Sequence, residues 1–348
     1  MNKIINVGLA SFGMSGLVFH GPLLKANPNY KVTKILERSS NHSAKMFPEA
    51  EIVRDFDVLV SDQEVDLVVV NTPDNLHYSM AKLALKAGKN VIVEKPFTLQ
   101  IDEGEELIDL SSRTGKILTV FQNRRWDSDF LTVQKIINSG WLGELKEFEL
   151  HFDRYKDFIQ ENSWKEEPGT GSNVLYNLGS HLIDQALVLF GLPNAVFADL
   201  STVRSGSGII DYFHIHLYFD GFKSILKSSY QVCEPGPKFM IHGSRGSFVK
   251  YGMDPQEDEL KLGKTPTGLD WGLEPEDIFG QLHTISPPKD FDGVYPSLLG
   301  DYPAFYRNLY DCIVSGKNLQ VKPEEALNVI RIISAAEESS LTEGIIHL

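Results

Sequence analysis

Apolar residues follow two different patterns along this chain, and the change falls near residue 121. Before it, short, mostly apolar strand-like runs at 4–10, 32–36, 67–70, 91–93 and 117–121 alternate with stretches of helical period. Met80, Leu83, Ala84 and Ala87 recur at helical spacing before Gly88, and Leu107, Ile108 and Leu110 do so before Gly115, where a C-terminal cap is expected. Strands apolar on both faces, separated by helices, predict a parallel sheet covered on each side.

Past residue 121 the period becomes two. Residues 128–139 read as a helix ended by Gly140, after which Phe148, Leu150 and Phe152 alternate with Glu147, Glu149 and His151. Phe213, Ile215, Leu217 and Phe219 alternate with Tyr212, His214, His216 and Tyr218, and Asp220-Gly221 supplies a hairpin turn into a strand at 223–230. Further strands are expected at 239–242 and 247–250, a helix near 174–190, a long surface excursion at 252–296, and closing helices at 302–315 and 323–339. The expected fold is therefore α/β, with a dinucleotide-type domain at 1–122 and a second α/β domain at 123–348 built on an open, mostly antiparallel sheet.

Composition narrows the function. The 348 residues carry 33 Lys plus Arg against 47 Asp plus Glu, a formal charge of −14 that argues against nucleic acid or an anionic membrane as partner and for a small molecule. Two cysteines, Cys233 and Cys312, make neither a disulfide scaffold nor a zinc site, and no metal is expected; His214 and His216 share a strand face without a third ligand nearby. With no secretory leader pattern and no run of apolar residues long enough to span a membrane, a cytoplasmic protein is expected.

The chemistry begins after the first strand. Gly8-Leu9-Ala10-Ser11-Phe12-Gly13-Met14-Ser15-Gly16 occupies the place of a phosphate loop, with Ser11 where a G-x-G-x-x-G pattern has its first glycine. A plain structural turn is the simpler alternative. Strand two ends Glu37-Arg38-Ser39-Ser40, where an acid favours NAD and an arginine favours NADP; the reading adopted is a solvated Glu37 beside a phosphate-bound Arg38, which weighs toward NADP. Glu94-Lys95-Pro96 closes the strand at 91–93, at the sheet edge where ligands bind, and a lysine there can polarise a substrate oxygen or pass a proton unless it is only a surface pair. Asn177, His181 and Asp184 fall at i, i+4 and i+7, so on an α-helix they share a face, and His181 reads either as a proton relay or as a buried histidine bonded to Asp184.

With these segments, Asn71-Thr72-Pro73 and His77, the sequence resembles the glucose-fructose oxidoreductase, inositol dehydrogenase and MocA family over nearly its whole length. Asn123-Arg124-Arg125-Trp126, the run His242-Gly243-Ser244-Arg245-Gly246 and Asp254-Pro255-Gln256-Glu257 are similar to the branch holding NADP-dependent scyllo-inositol dehydrogenase. The resemblance implies a Rossmann domain, an NAD(P) cofactor, a polyol or sugar substrate, and homodimers or homotetramers packed through the second sheet. It implies Lys95 and His181 as substrate-binding and proton-transfer residues, with Asn177 standing where the family usually has Asp and orienting rather than titrating. Expected cofactor contacts are Ser11, Phe12, Gly13, Met14, Ser15, Glu37, Arg38, Asn71, Thr72, Pro73, His77, Glu94, Lys95 and Asn123. Expected substrate contacts are Arg125, Asp153, Tyr155, Trp164, Tyr176 and Asp184. Family relatives that cleave glycosides through transient oxidation, and a nucleotide-sensing protein without turnover, are the other functions weighed.

Overall fold

The computed structural model describes residues 3–161, 163, 166, 167, 171, 173–285 and 290–348. By its internal contacts the chain divides into two compact units. The first takes in Met1–Asn123 together with Pro255–Trp271 and Asp301–Leu327, two late segments that a contiguous reading does not include.

In this first unit β1 (Ile5–Leu9), β2 (Tyr30–Leu36), β3 (Glu51–Val53), β4 (Leu67–Val70), β5 (Asn90–Val93) and β6 (Leu118–Val120) form one parallel sheet in the order β3-β2-β1-β4-β5-β6. This is the doubly wound order, with its reversal between β1 and β4. Continuous apolar runs make the central strands: all of β4 and Val91, Ile92 and Val93 of β5 are inaccessible to solvent. Helices α1 (Gly21–Ala26), α2 (Phe56–Ser61), α3 (His77–Lys86) and α4 (Ile101–Thr114) connect them, α4 ending at Gly115 in the left-handed conformation that its glycine permits. The strand β3 and the helix α2 are additions to the expected pattern.

The second unit, Arg124–Asp254 with Gly272–Gly300 and Asn328–Leu348, is built on a nine-stranded sheet. Its elements are α5 (Ser128–Asn138), β7 (Leu145–His151), α6 (Ser180–Phe190), β8 (Ala195–Ser201), β9 (Tyr212–Phe219), β10 (Phe222–Ser229), β11 (Phe239–Gly243) and β12 (Gly246–Lys250). The strand order is β14-β13-β12-β11-β7-β10-β9-β8-β15, completed by β13 (Gly280–Thr284), β14 (Phe291–Tyr295) and β15 (Ile346–His347). Among the described residues of this sheet only β7 and β10 pair in parallel. Alternation decides its faces: Phe213, Ile215 and Leu217 are buried, whereas His214, His216 and Tyr218 line up with Lys227, Ile225 and Lys223 on the other side. The two histidine rings lie side by side there, with centroids 4.8 Å apart.

The surface excursion expected at 252–296 is a correction. That stretch holds α7 (Gln256–Lys261), β13 and β14, and it buries Asp254, Gln256, Leu260, Trp271, Glu274 and Leu282. Its Pro, Gly and Asp content signals loop, but side-chain bonds override composition. In the first unit Gln256 Oε1 accepts from Trp271 Nε1 at 2.8 Å and from the Tyr302 N–H at 2.7 Å. In the second, Glu274 meets Lys250 at 2.7 Å with both side chains fully buried. Helices α8 (Pro303–Ser315) and α9 (Pro323–Thr342) form where they are expected, and β15 follows them. Among the described residues no helix is long and apolar enough to cross a membrane.

Candidate active site

The turn after β1 leads into a π-helical stretch, Gly16–His20, before α1. A side chain at Gly16 would lie 2.8 Å from Ser11 O and 3.0 Å from Asn71 Nδ2, so only glycine lets the helix start this close to the turn. At Gly13 the nearest atom to an added Cβ is Ser11 Oγ at 3.6 Å, and that hydroxyl accepts from the Gly13 N–H at 3.2 Å. Ser11 thus stands in for the missing glycine by bonding its own loop. Phe12 is buried with its ring edge-on to Phe47 at 6.2 Å, while Met14 is exposed.

At the strand-order reversal the two ligand-edge loops touch, since Asn71 Nδ2 donates to Ser11 O at 2.9 Å. Asn71 Oδ1 and Thr72 Oγ1 are buried with no hydrogen-bond partner in the structure. Polar atoms buried at such an edge call for a ligand's hydroxyl or amide. Together with the open approach at Gly13, they fit a dinucleotide along this edge.

At the end of β2 the structure corrects one expectation. Glu37 is not solvated: it is 5% exposed, and its carboxylate accepts from the N–H groups of His42 and Ser43, each at 2.9 Å, and from the hydroxyls of Ser40 and Ser43. Burial alone would raise its pKa, but these bonds outweigh it and bring it down to about 2. The serine-rich stretch that follows the strand is the physical reason, because its donors close on the acid and form a short helical turn, His42–Lys45. Arg54 braces the same loop through Glu37 O, Ser40 O and Asn41 Oδ1. Arg38 is left exposed beside it.

Around β4 and β5, Pro73 precedes a short helical turn and His77 opens α3. His77 is fully buried, its ring nitrogens 2.8 Å from Pro96 O and 3.1 Å from Thr72 O, so it braces the two loops against each other. Glu94 accepts from Ser15 Oγ, lies 3.0 Å from His20 Nε2, and accepts the Lys95 N–H at 3.1 Å. Burial pushes its pKa up, but His20, Ser15 and the nearby Lys95 outweigh this and hold it below the ordinary carboxylate range. Lys95 is half-buried at the strand end and joined to Pro96 by a cis peptide bond. Asn123 is buried at the start of a short helical turn after β6.

In the second unit, Asn177 lies in a π-helical segment, Leu175–Gly179, and His181 in α6, which follows directly. His181 is 6% exposed. Arg125 forks onto Asp184 with bonds of 2.8 and 2.7 Å, and Gln185 Nε2 donates to Arg124 O at 2.9 Å, bolting α6 to the turn at 123–126. Arg124 pairs with Asp127 at 3.1 Å, and Lys238 meets Asp129 at 2.5 Å, a buried charge cluster that sequence spacing did not reveal because Lys238 is far away in the chain. Asp153 is largely buried, accepting the Ser229 N–H at 3.0 Å and lying 3.3 Å from His151. Tyr176 is buried with its hydroxyl 3.3 Å from Glu337, whereas Tyr155 is exposed. Trp164 lies outside the described residues.

Comparison with known proteins agrees with this architecture. Residues 5–122 match the model described as oxidoreductase family, NAD-binding Rossmann fold, and residues 134–347 match oxidoreductase family, C-terminal alpha/beta domain. The chain is 40% identical to scyllo-inositol 2-dehydrogenase (NADP(+)) IolW of Bacillus subtilis over 99% of its own length and 96% of that protein. It is 37% identical to the uncharacterized oxidoreductase YdgJ of Escherichia coli, covering 98% and 97% of the two chains. Among solved structures, the Bacillus subtilis protein YvaA, assigned as an oxidoreductase, superposes with a TM-score of 0.97 at 40% identity, covering 100% of this chain and 99% of that one. A Bacteroides fragilis protein with the same assignment gives 0.92 at 48% identity, covering 99% and 100%. The chain belongs to the glucose-fructose oxidoreductase, inositol dehydrogenase and MocA family of oxidoreductases, with an NAD-binding Rossmann domain at its N-terminal end.

Proposed function

We propose that this protein is an NADP-preferring dehydrogenase acting on a hydroxyl carbon of an inositol-like polyol or a sugar. The bound nicotinamide supplies the hydride acceptor or donor; the protein must bind, orient and handle the proton. Lys95 is the proton-handling residue of the first unit and His181 that of the second, because an amine and an imidazole are the groups in these signatures that can hydrogen-bond a reacting oxygen and pass its proton. Asn177 orients the substrate oxygen through its amide and does not titrate.

The observation that carries the reading is that β4 and β5 pair in parallel, so Lys95, just past the end of β5, and Asn71 and Thr72, whose buried polar atoms lack partners just past the end of β4, follow neighbouring strands at the same sheet edge. Cofactor choice rests on Glu37. With its carboxylate committed to Ser40, His42 and Ser43, the ribose hydroxyls lose an acidic partner, and exposed Arg38 is the charge suited to a 2′-phosphate. The 40% identity to an NADP(+)-dependent scyllo-inositol 2-dehydrogenase supports both substrate class and cofactor. The open face of the nine-stranded sheet, with Phe197, Ile225, Met240 and Val249 among its polar residues, suits packing of copies into a homodimer or homotetramer.

The test is fluorescence titration with NADH and NADPH, followed by a polyol and aldose screen with whichever binds. Net cofactor reduction by a polyol supports the proposal. Sugar release without net reduction marks a glycosidase, and binding without turnover of any polyol or sugar marks a sensor; either result overturns it.

A further inference from the structure

Within the first unit, a buried chain of hydrogen bonds runs from the helix α8 to the phosphate loop. The Tyr306 hydroxyl lies 2.6 Å from His20 Nδ1, His20 Nε2 lies 3.0 Å from Glu94 Oε1, and the same oxygen accepts from Ser15 Oγ. The other oxygen, Oε2, accepts the Lys95 N–H at 3.1 Å. At the far end, the Tyr30 hydroxyl donates to Tyr306 O at 2.8 Å. His20 and Tyr306 are both completely inaccessible to solvent.

An ionised Glu94 only accepts, so His20 Nε2 carries the hydrogen that faces it, and Nδ1 faces the Tyr306 hydroxyl. Burial, with Tyr30 and Glu94 nearby, drives the Tyr306 pKa well up, so the phenol keeps its proton. Phe121, with its ring centroid 4.4 Å from that of His20, and Phe305, 4.9 Å from Phe121, pack against the His20 and Tyr306 end of the chain. Sequence position concealed it, since Tyr306 lies 286 residues from His20.

We propose that His20 and Tyr306 are positioning residues for the dinucleotide site: they hold the Glu94 carboxylate where it ties the first turn after the phosphate loop, through Ser15, to the backbone of Lys95. This rests on the reading of Lys95 and of the loop given above, and deepens it. Glu94 is then a hub inside the protein and not a cofactor contact. In this arrangement α8, from late in the chain, sets the register of two parts of the nucleotide site.

The test is a double-mutant cycle on dinucleotide affinity, read by fluorescence titration with NADPH, for wild type, Tyr306→Phe, Ser15→Ala and the double variant. Among the described residues, hydrogen bonds join Tyr306 to Ser15 through His20 and Glu94. Tyr306→Phe keeps its ring contacts and so keeps the fold. Each single change is expected to weaken binding by about fivefold, and the double change by little more, a coupling of about threefold or greater. Thermal midpoints are measured alongside, because a purely structural role lowers the midpoint without coupling the two sites. His20→Gln, which keeps an N–H toward Glu94, is expected to retain more affinity than His20→Ala. Independent effects that multiply in the double variant, or Tyr306→Phe binding as wild type does, overturn the proposal. A wild type that binds NADPH but turns over no polyol removes the dehydrogenase reading and leaves this cycle readable; a wild type that binds no dinucleotide removes both.

Discussion

Glu37 accepts two hydrogen bonds from Ser43, one from its N–H at 2.9 Å and one from its hydroxyl, so the acid at the end of the second strand is spent on the loop that follows it. Its carboxyl pKa is brought down to about 2 from 4.5, and a depressed acid stabilises the fold above its unfolded pKa and ceases to as pH falls through the folded one. Glu37→Gln should therefore cost about 1–3 kcal/mol near neutral pH. In urea unfolding compared across pH, the gap between wild type and variant should shrink steadily from 4.5 toward 2. A gap independent of pH contradicts this role.

Arg38 governs the nucleotide preference. Arg38→Ala should raise the Kd for NADPH by about tenfold or more, the size of a lost charge-assisted pair, and leave NADH nearly unchanged. Parallel titrations check it, and equal losses for both nucleotides would exclude Arg38 from the 2′-phosphate.

Arg125 and Asp184 form a bidentate pair with both side chains nearly out of solvent, 9% and 3% exposed. Removing one partner strands the other, so Arg125→Ala or Asp184→Ala should each destabilise by about 3–5 kcal/mol, while Arg125→Met with Asp184→Leu should recover much of the loss. Chemical denaturation of the three variants checks it. Additive losses in the double variant contradict the pairing.

Much of the first unit was legible because a strand buried on both faces must be apolar throughout, as Leu67-Val68-Val69-Val70 is. The three-residue strand Glu51-Ile52-Val53 offers too few positions for any period to emerge. The two π-helical segments were equally hidden, since five residues cannot separate one helical period from another. Glu37 was misread as solvated because alternation describes the strand and says nothing of donors that fold back from the next loop. His20 and Lys238 were missed for a different reason: their partners are supplied by Tyr306 and Asp129, distant in sequence, and only packing joins them. Ser39-Ser40-Asn41-His42-Ser43 did carry a signal, being a run of residues that favour side-chain bonds to nearby backbone.

Asn177 gives a prediction in pH. An amide does not titrate, so Asn177→Asp adds a carboxylate where the family commonly has one. The variant's kcat/KM should gain a limb that falls toward acid as that carboxylate takes up its proton, a limb absent from wild type. Superimposable profiles would remove residue 177 from the vicinity of the reacting proton.

Lys95 decides the account most directly. Nicotinamide absorbance followed with NADP and an inositol panel, for wild type and Lys95→Ala, is expected to give steady cofactor reduction by wild type. The variant should lose about 10²–10⁴-fold in kcat, the range of a lost proton-transfer group, while NADPH titration returns nearly the wild-type Kd. Wild-type turnover by Lys95→Ala would contradict it.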